Sequence, residues 1–147
     1  MAEKVKFELV SPEKILLSEA VEMVVIPGAE GNFGVLPGHA PLISSVRPGT
    51  IEVYEGSTIA ERIFIAGGFA EVTPERCTVL ADEAVTVSSL DRGAVEAELA
   101  AATTRYGEAL AVAEKGNDTD KLRFKAAERQ LAVATAKHQA VDASVRH

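Results

Sequence analysis

The stretch IPGAEGNFGVLPGHAPLISSVRPG, residues 26–49, decides how the first half of this chain is organised. It holds five of the eleven glycines and four of the six prolines in the 147-residue sequence. Turn-forming residues at this density predict a loop rather than a helix or a long strand. A flexible linker would not carry the apolar residues threaded through it, which are Ile26, Phe33, Val35, Leu36, Leu42, Ile43 and Val46. We therefore predict a shaped, partly buried excursion between strands, with its tip open to a partner.

The bulk composition is that of one or two small folded domains. Hydrophobic residues make up 47% of the chain and charged residues 25%, which is enough for a real core. The longest apolar runs are far shorter than the roughly 20 residues that span a bilayer, and MAEKVKFELV at the start lacks the pattern of a signal or transit peptide. A single cysteine, Cys77, excludes an internal disulfide and fits a reducing compartment.

The net charge of −7 comes from the first part of the chain. Residues 1–88 contain 6 Lys and Arg against 13 Asp and Glu, whereas the remainder has 9 of each. An acidic protein without a basic cluster is a poor match for nucleic acid or an anionic lipid surface.

The first half is typical of short strands. Val5, Phe7 and Leu9 alternate with polar residues, which is the period of a half-buried strand. Gly67-Gly68, at the end of a later run, would allow close backbone approach. No helix-length segment separates the strands, so we predict a flattened antiparallel β-sandwich or barrel. The further predicted strands are 20–26, 50–54, 61–67, 69–73, 76–82 and 84–88.

The second half predicts two helices. Ala supplies 15 of the 57 residues after Leu90, so we place the domain boundary near there, with domains at 1–88 and 89–147. Asp91 can cap the first helix, with Glu96 and Glu98 near its start. Gly116 or Asn117 would end it, and Asp118 or Thr119 would cap the second. Residues that recur at steps of three and four form one mainly apolar stripe along each helix, and two such stripes predict an antiparallel αα-hairpin. The first stripe is Val95, Leu99, Ala102, Tyr106, Ala109 and Ala113, and the second is Phe124, Ala127, Leu131, Ala134, His138 and Val141.

Alanine occupies five of these twelve stripe positions. Each Ala in place of Leu forgoes roughly 2 kcal/mol of burial, so the hairpin is thinly stabilised by its own contacts. Two interpretations follow: the small residues allow close helix approach, or the hairpin is built to detach and rearrange.

No constellation for chemistry is evident. The chain has no P-loop and no CxxC, and its histidines lack ligand spacing, so we expect no metal, no cofactor and no catalytic residue. Cys77 within a strand fits a structural thiol, and Asp82-Glu83 fits a solvated turn because adjacent strand residues face opposite ways. His39 lies in a proline-bounded loop without a catalytic partner. We expect it to bond loop backbone or a partner surface.

Three segments carry a resemblance to one family: LVSPEKILLSEAVEMV (9–24), VIPGAEGNFGVLPGHAPLISSVRPG (25–49) and FIAGGFAEVTPERCTVLADEA (64–84). Their most specific parts are G-x-x-G-x-L-P-G-H-A-P-L at Gly31–Leu42 and G-G-F-x-E-V at Gly67–Val72. In this order, and followed by an αα-hairpin, they resemble the epsilon subunits of F-type ATP synthases, counterparts of the mitochondrial delta subunit.

The resemblance implies a ten-stranded flattened β-sandwich followed by the hairpin. It implies a non-catalytic subunit of the central rotor stalk that links the gamma subunit to the c-ring and helps transmit torque. Its place would be peripheral, on the cytoplasmic face of the bacterial inner membrane. In many bacterial members the hairpin extends toward the catalytic alpha and beta subunits and restrains ATP hydrolysis.

Carried over by position, the resemblance assigns two contact regions. The c-ring-facing loop would be Ala29, Glu30, Gly31, Asn32 and Phe33, with Glu30 as an exposed acceptor for cations or amides of the c loops. The gamma-facing positions would be Ser11, His39 and Ser44.

The start of the first helix departs from the family pattern. Some bacterial members bind ATP through I/L-D-x-x-R-A, of which this chain keeps Leu90 and Asp91 but has Ala94 and Val95 in place of Arg and Ala. The missing guanidinium would have been a phosphate ligand, so we expect ATP binding to be weak or absent.

The cations of the second helix have two interpretations. Lys121, Arg123, Lys125 and Arg129 could meet acidic catalytic subunits in an inhibitory extension, or form an ordinary solvated face. The main functional alternative is a free-standing β-sandwich module that binds a ligand on the 26–49 loop. A hydrolase using His39 has no supporting constellation.

Overall fold

The structure is a computed structural model that describes residues 3–145, with side chains described for residues 3–143. The chain divides into two compact units, Met1–Ser89 and Leu90–His147. Within residues 3–145, no helix is long and apolar enough to cross a membrane.

Ten strands and a short 3-10 helix, Val87–Ser89, make up the first unit, which confirms the predicted β-sandwich. Alternating side chains of these strands form its core, as with Val5 and Phe7, which are fully buried. The strands are β1 (Val5–Val10), β2 (Ile15–Val21), β3 (Met23–Gly28), β4 (Gly31–Val35), β5 (Leu42–Val46), β6 (Gly49–Glu55), β7 (Thr58–Ile65), β8 (Gly68–Val72), β9 (Arg76–Ala81) and β10 (Ala84–Thr86).

One strand pair departs from the predicted antiparallel sheet. The order is β10-β7-β6-β3-β5-β8-β9-β1-β2, with β4 paired to β3. All these pairs are antiparallel except β1 with β9, which run parallel from Lys6↔Arg76 to Val10↔Leu80. Parallel pairing needs a long connection, and here the whole of β2–β8 supplies it. Short turns between neighbouring strands gave no sign of this long-range pair.

Two predicted segments in the first half differ most from the structure, while the strands predicted at 61–67 and 84–88 are β7 (Thr58–Ile65) and β10 (Ala84–Thr86) with shifted ends. The strand predicted at 20–26 is the end of β2 and the start of β3, separated at Glu22, whose carboxylate accepts a hydrogen bond from the Gly56 amide. The loop predicted at 26–49 contains the end of β3 and all of β4 and β5. These strands are only five or six residues long, so closely spaced Gly and Pro can stand at their ends without excluding them.

The second unit is the predicted helical hairpin, α1 (Arg92–Ala113) and α2 (Asp118–Val145). Asp91 caps α1 as predicted, accepting a hydrogen bond from the Ala94 amide at 2.9 Å. The predicted cap of α2 is wrong, because Asn117 takes that position instead. Its side chain accepts from the Asp120 amide at 3.0 Å while the Asp120 carboxylate accepts from the Asn117 amide at 3.3 Å, a reciprocal capping box.

Every position of the two predicted stripes is buried or half-buried, which confirms the helical period. The contacts between the helices show that they are antiparallel: residues late in α1 meet residues early in α2. The Tyr106 and Phe124 rings lie 5.4 Å apart, and the Lys137 ammonium lies 3.2 Å from the Glu98 carboxylate.

Cys77 is fully buried in β9, as expected of a structural thiol. Burial raises the pKa of this thiol from 9.0 to about 12. Below pH 9 the thiol is neutral in both folded and unfolded chains. Above it, only the unfolded chain loses the proton, so the free energy of unfolding falls by about 1.4 kcal/mol per pH unit up to pH 12.

We therefore expect the stability of the wild type relative to Cys77→Val to fall by about 2 kcal/mol between pH 8 and pH 10.5. Urea unfolding of both proteins at the two pH values measures the difference, and subtracting the variant cancels the other groups that titrate there. If the difference in the free energy of unfolding between the two proteins does not change with pH, burial does not raise the pKa of the Cys77 thiol.

Candidate functional site

The tip of the β3–β4 hairpin projects from the first unit. Gly28 pairs with Gly31, so Ala29 and Glu30 alone form the turn, and both are exposed. Gly31 has φ +139°, a conformation that side-chain-bearing residues rarely adopt. The predicted c-ring loop is thus a tight two-residue turn that presents the Glu30 carboxylate to solvent.

Arg47, which the sequence analysis did not single out, fastens the base of this hairpin. Its guanidinium donates to the Gly28 carbonyl oxygen at 2.5 Å and to the Asn32 side-chain oxygen at 2.6 Å. Its backbone amide donates to the Pro27 carbonyl at 2.9 Å, and the Ala29 amide donates to the Ser45 carbonyl at 2.9 Å. The only sequence signal was an arginine beside Pro48 within the 26–49 excursion.

The Phe33 ring packs against the backbone at the base of the β3–β4 hairpin. A Cβ added at Gly28 would lie 2.8 Å from a ring carbon of Phe33, so the ring rests directly on the Gly28 backbone. Phe33 is half-buried against the main core. Of the five predicted loop residues, Ala29, Glu30, Gly31 and Asn32 are therefore exposed, and Phe33 holds them in place.

His39 bonds to its own loop, as the sequence suggested. Its Nδ1 lies 2.7 Å from the Ala40 carbonyl oxygen, and its amide donates to the Leu36 carbonyl at 3.1 Å. The Gly38 amide donates to the Pro74 carbonyl at 2.8 Å, which ties this loop to the β8–β9 turn. The ring is half-buried, and the surrounding backbone is fixed.

The predicted gamma-facing residues do not form one cluster. Ser11 follows the Val10↔Leu80 pair, whereas His39 lies beside Pro74, at the opposite end of β8 and β9. The Ser11 hydroxyl donates to the Lys14 carbonyl at 3.2 Å. Ser44 pairs with buried Ala70 and so faces inward. Ser11 and His39 therefore lie at opposite ends of the β8–β9 region of the sheet and do not form a single contact point.

A row of exposed apolar side chains crosses the outer face of this region. Phe69 lies opposite Leu80 in the β8–β9 register, and they are 58% and 48% exposed. Ile43, 76% exposed, shares their face, since it lies two residues before Ser45, the partner of Phe69. The outer apolar row, as we call it, is Ile43, Phe69, Leu80 and Ile15, which are exposed, together with Val10, which is half-buried and pairs with both Leu80 and Ile15. Adjacent exposed residues of this size mark an interaction surface.

The charged residues that the sequence singled out in the helical hairpin of the second unit are exposed or already paired. Lys121, Arg123, Lys125 and Arg129 are all exposed on the first half of α2. At the start of α1 the Asp91 carboxylate caps the helix, and the Arg92 guanidinium lies 2.8 Å from the Asp142 carboxylate. Leu90 is half-buried.

Other candidate sites are accounted for. Asp82 and Glu83 form the exposed bend between β9 and β10, as predicted. Within the described residues, no group of three His, Cys, Asp or Glu side chains could hold a metal ion.

Comparisons with known proteins agree on one family. The family model described as ATP synthase, Delta/Epsilon chain, beta-sandwich domain matches residues 4–87. An ATP synthase epsilon chain of Rhodospirillum rubrum is 61% identical over 115 residues, 78% of this chain and 86% of the relative. One of Rhodospirillum centenum is 60% identical over 104 residues, covering 67% and 71%.

Two solved structures share the fold. A chain of the Euglena gracilis mitochondrial ATP synthase, in a structure of OSCP/F1/c-ring, superposes with a TM-score of 0.74 at 23% identity, covering 97% of this chain and 81% of that one. A chain of the Tetrahymena thermophila mitochondrial ATP synthase central stalk and c-ring gives 0.56 at 16% identity, covering 92% and 97%.

Proposed function

Because the chain belongs to the ATP synthase delta/epsilon chain family, we propose that it is a subunit of the central rotor stalk of a proton-translocating F-type ATP synthase. It performs no chemistry itself. It joins the gamma subunit to the c-ring and helps transmit torque between proton flow and ATP synthesis. The complex that it joins is membrane-bound, and its place there is peripheral, on the cytoplasmic face of the bacterial inner membrane.

The outer apolar row is the observation that carries the gamma contact. Ile43, Phe69 and Leu80 remain exposed, although burying apolar surface yields about 25 cal/mol per Å². A partner that covers the row recovers this free energy. The row lies between the ends marked by Ser11 and His39, so a gamma subunit that covers it would also reach both of them.

The hairpin tip supports the c-ring contact. Ala29 and Glu30 project on a turn whose backbone is held by Arg47, so they lose little conformational entropy on binding. The exposed Glu30 carboxylate can accept hydrogen bonds from cationic or amide groups of the polar c loops.

Co-purification tests the proposal against the free-standing ligand module. A tagged copy of the chain, expressed in its host, should bring down gamma and the c-ring from detergent-solubilised membranes. An untagged wild-type copy added in excess should compete for the same complex. Recovery of the tagged chain alone would overturn the rotor assignment and favour the module.

The hairpin is proposed to restrain ATP hydrolysis through the cations of α2. Truncation after Leu90 is expected to raise ATP hydrolysis by the assembled complex severalfold. The truncation removes the cations that would meet the acidic catalytic subunits, which are Lys121, Arg123, Lys125 and Arg129. Replacing these four by Gln in the full-length chain is the matched variant, and it should give most of the same increase. Unchanged rates in both would mean that the basic face is merely solvated.

ATP is expected to bind this chain weakly, with Kd in the millimolar range or no measurable binding. The structure adds a reason to the missing motif arginine: Arg92, the cation nearest to it in sequence, is already paired with Asp142 and Glu96. Calorimetric titration with Mg-ATP measures the affinity, and Ala94→Arg should increase it by restoring the arginine of the motif. Micromolar affinity in the wild type would contradict the expectation.

A further inference from the structure

The outer end of the tip hairpin has few strand neighbours. β4 pairs with β3 alone among the described strands. β3 pairs with β6 only over Met23–Val25 and with β5 only at Gly28↔Val46, where the Ala29 and Arg47 amides add hydrogen bonds to the Ser45 and Pro27 carbonyls. Beyond Val25 most of the hairpin is therefore two-stranded, and a two-stranded segment is marginally stable by itself. These few backbone bonds leave a role for a side chain in fixing the direction in which Ala29 and Glu30 point.

We infer that Arg47 is a positioning residue, whose guanidinium sets the orientation of the Ala29–Glu30 tip for its partner. Its two hydrogen bonds end on Gly28 and Asn32, one on each side of the turn. The tip is therefore held at both ends by one rigid planar group. The inference deepens the proposed c-ring contact and rests on it.

The chemistry of the bond requires arginine. The guanidinium is a planar fork that can donate to two acceptors at fixed geometry, whereas a lysine ammonium is a compact point charge whose three donors rotate on a flexible stem. Both acceptors are neutral, a backbone carbonyl and a side-chain amide oxygen, so charge alone does not reproduce the clamp. Lysine at this position would keep the charge and lose one of the two anchors.

Arg47→Lys in the full chain tests the clamp, with Arg62→Lys as its matched control. Arg62 makes a single ion pair with Glu52 at 3.7 Å, which lysine can keep. We expect exchange of the Ala29 amide to quicken about tenfold in Arg47→Lys, as for the loss of one charge-assisted hydrogen bond. The Thr73 amide, which bonds the Arg76 carbonyl in a separate turn, should not change. Arg62→Lys should leave both amides unchanged.

Affinity provides the second measurement. Against a detergent-solubilised complex of gamma with the c-ring, Arg47→Lys should bind about tenfold more weakly and Arg62→Lys like the wild type. Asn32→Ala removes only the acceptor, so combining it with Arg47→Lys should add less than the sum of the two single losses.

The possible outcomes separate this inference from the proposed function. Glu30→Arg changes the tip itself, and unchanged affinity in that variant would overturn the c-ring contact. If Glu30→Arg weakens binding but Arg47→Lys leaves both exchange and affinity unchanged, the positioning role is wrong and the contact stands. If Arg47→Lys weakens binding without quickening Ala29 exchange, Arg47 touches the partner directly and the clamp is also refuted.

Discussion

Replacing Gly68 by alanine is expected to destabilise the first unit by about 3 kcal/mol or more. Gly68 begins β8 with φ +152°, and a Cβ built there would collide with the Leu80 carbonyl oxygen on β9. That oxygen is backbone, so no side-chain rotation relieves the clash. Either β8 and β9 separate or the backbone at residue 68 takes another conformation, and both disturb the strands that carry Phe69 and Leu80.

Gly107→Ala is the matched control, because it makes the same chemical change but is expected to affect stability in the opposite direction. Gly107 lies within α1, and nothing approaches within 4 Å of its added Cβ. Alanine should therefore stabilise the helix by about 1 kcal/mol. Urea unfolding followed through NMR resonances of each unit measures both changes. Similar small effects at the two glycines would contradict the close β8–β9 approach.

Replacing Phe69 by aspartate is expected to weaken binding to the gamma subunit more than 100-fold. The change removes the largest side chain of the outer apolar row and would bury an unpaired carboxylate in the interface. Because Phe69 is more than half exposed in the first unit, its replacement should leave folding intact. Surface-immobilised gamma titrated with the variant measures the loss.

Leu122→Asp is the control for this substitution. Leu122 is similarly exposed, but it lies on α2 in the second unit and is not part of the outer apolar row. The Leu122→Asp variant should bind gamma with wild-type affinity, and its free energy of unfolding should match that of the wild type within about 0.5 kcal/mol. Equal affinity losses in both variants would point to a general effect of the added charge, and unchanged affinity in Phe69→Asp would refute the row as the gamma surface.

Periodicity predicted those parts of the fold that depend on local sequence. The steps of three and four residues from Val95 to Val141 identified every stripe position of the hairpin, and Asp91 was recognisable as a cap. The alternation of Val5, Phe7 and Leu9 identified β1. Each of these signals lies within a few residues of the structure that it specifies.

The candidate site depends on long-range pairing, which local patterns do not contain. Phe69, Leu80 and Val10 each look like an ordinary strand residue, and only the β8–β9 and β9–β1 registers bring them into one row. Arg47 meets Asn32 and Gly28 because β5 and β6 pass beside the hairpin. Resemblance to a family located the hairpin tip, but it gave no account of what holds the tip in place.

The pairing of β1 with β9 also has a consequence during synthesis. About 70 residues separate the two strands, and at translation rates of about 5–20 residues per second the ribosome needs roughly 4–14 s to make them. The β1–β2 hairpin must wait for that time with one edge unpaired, so the sandwich closes only after β9 has left the exit tunnel. A nascent chain that stalls before residue 81 therefore exposes an open strand edge, and it is at this stage that we expect the protein to depend most on chaperones.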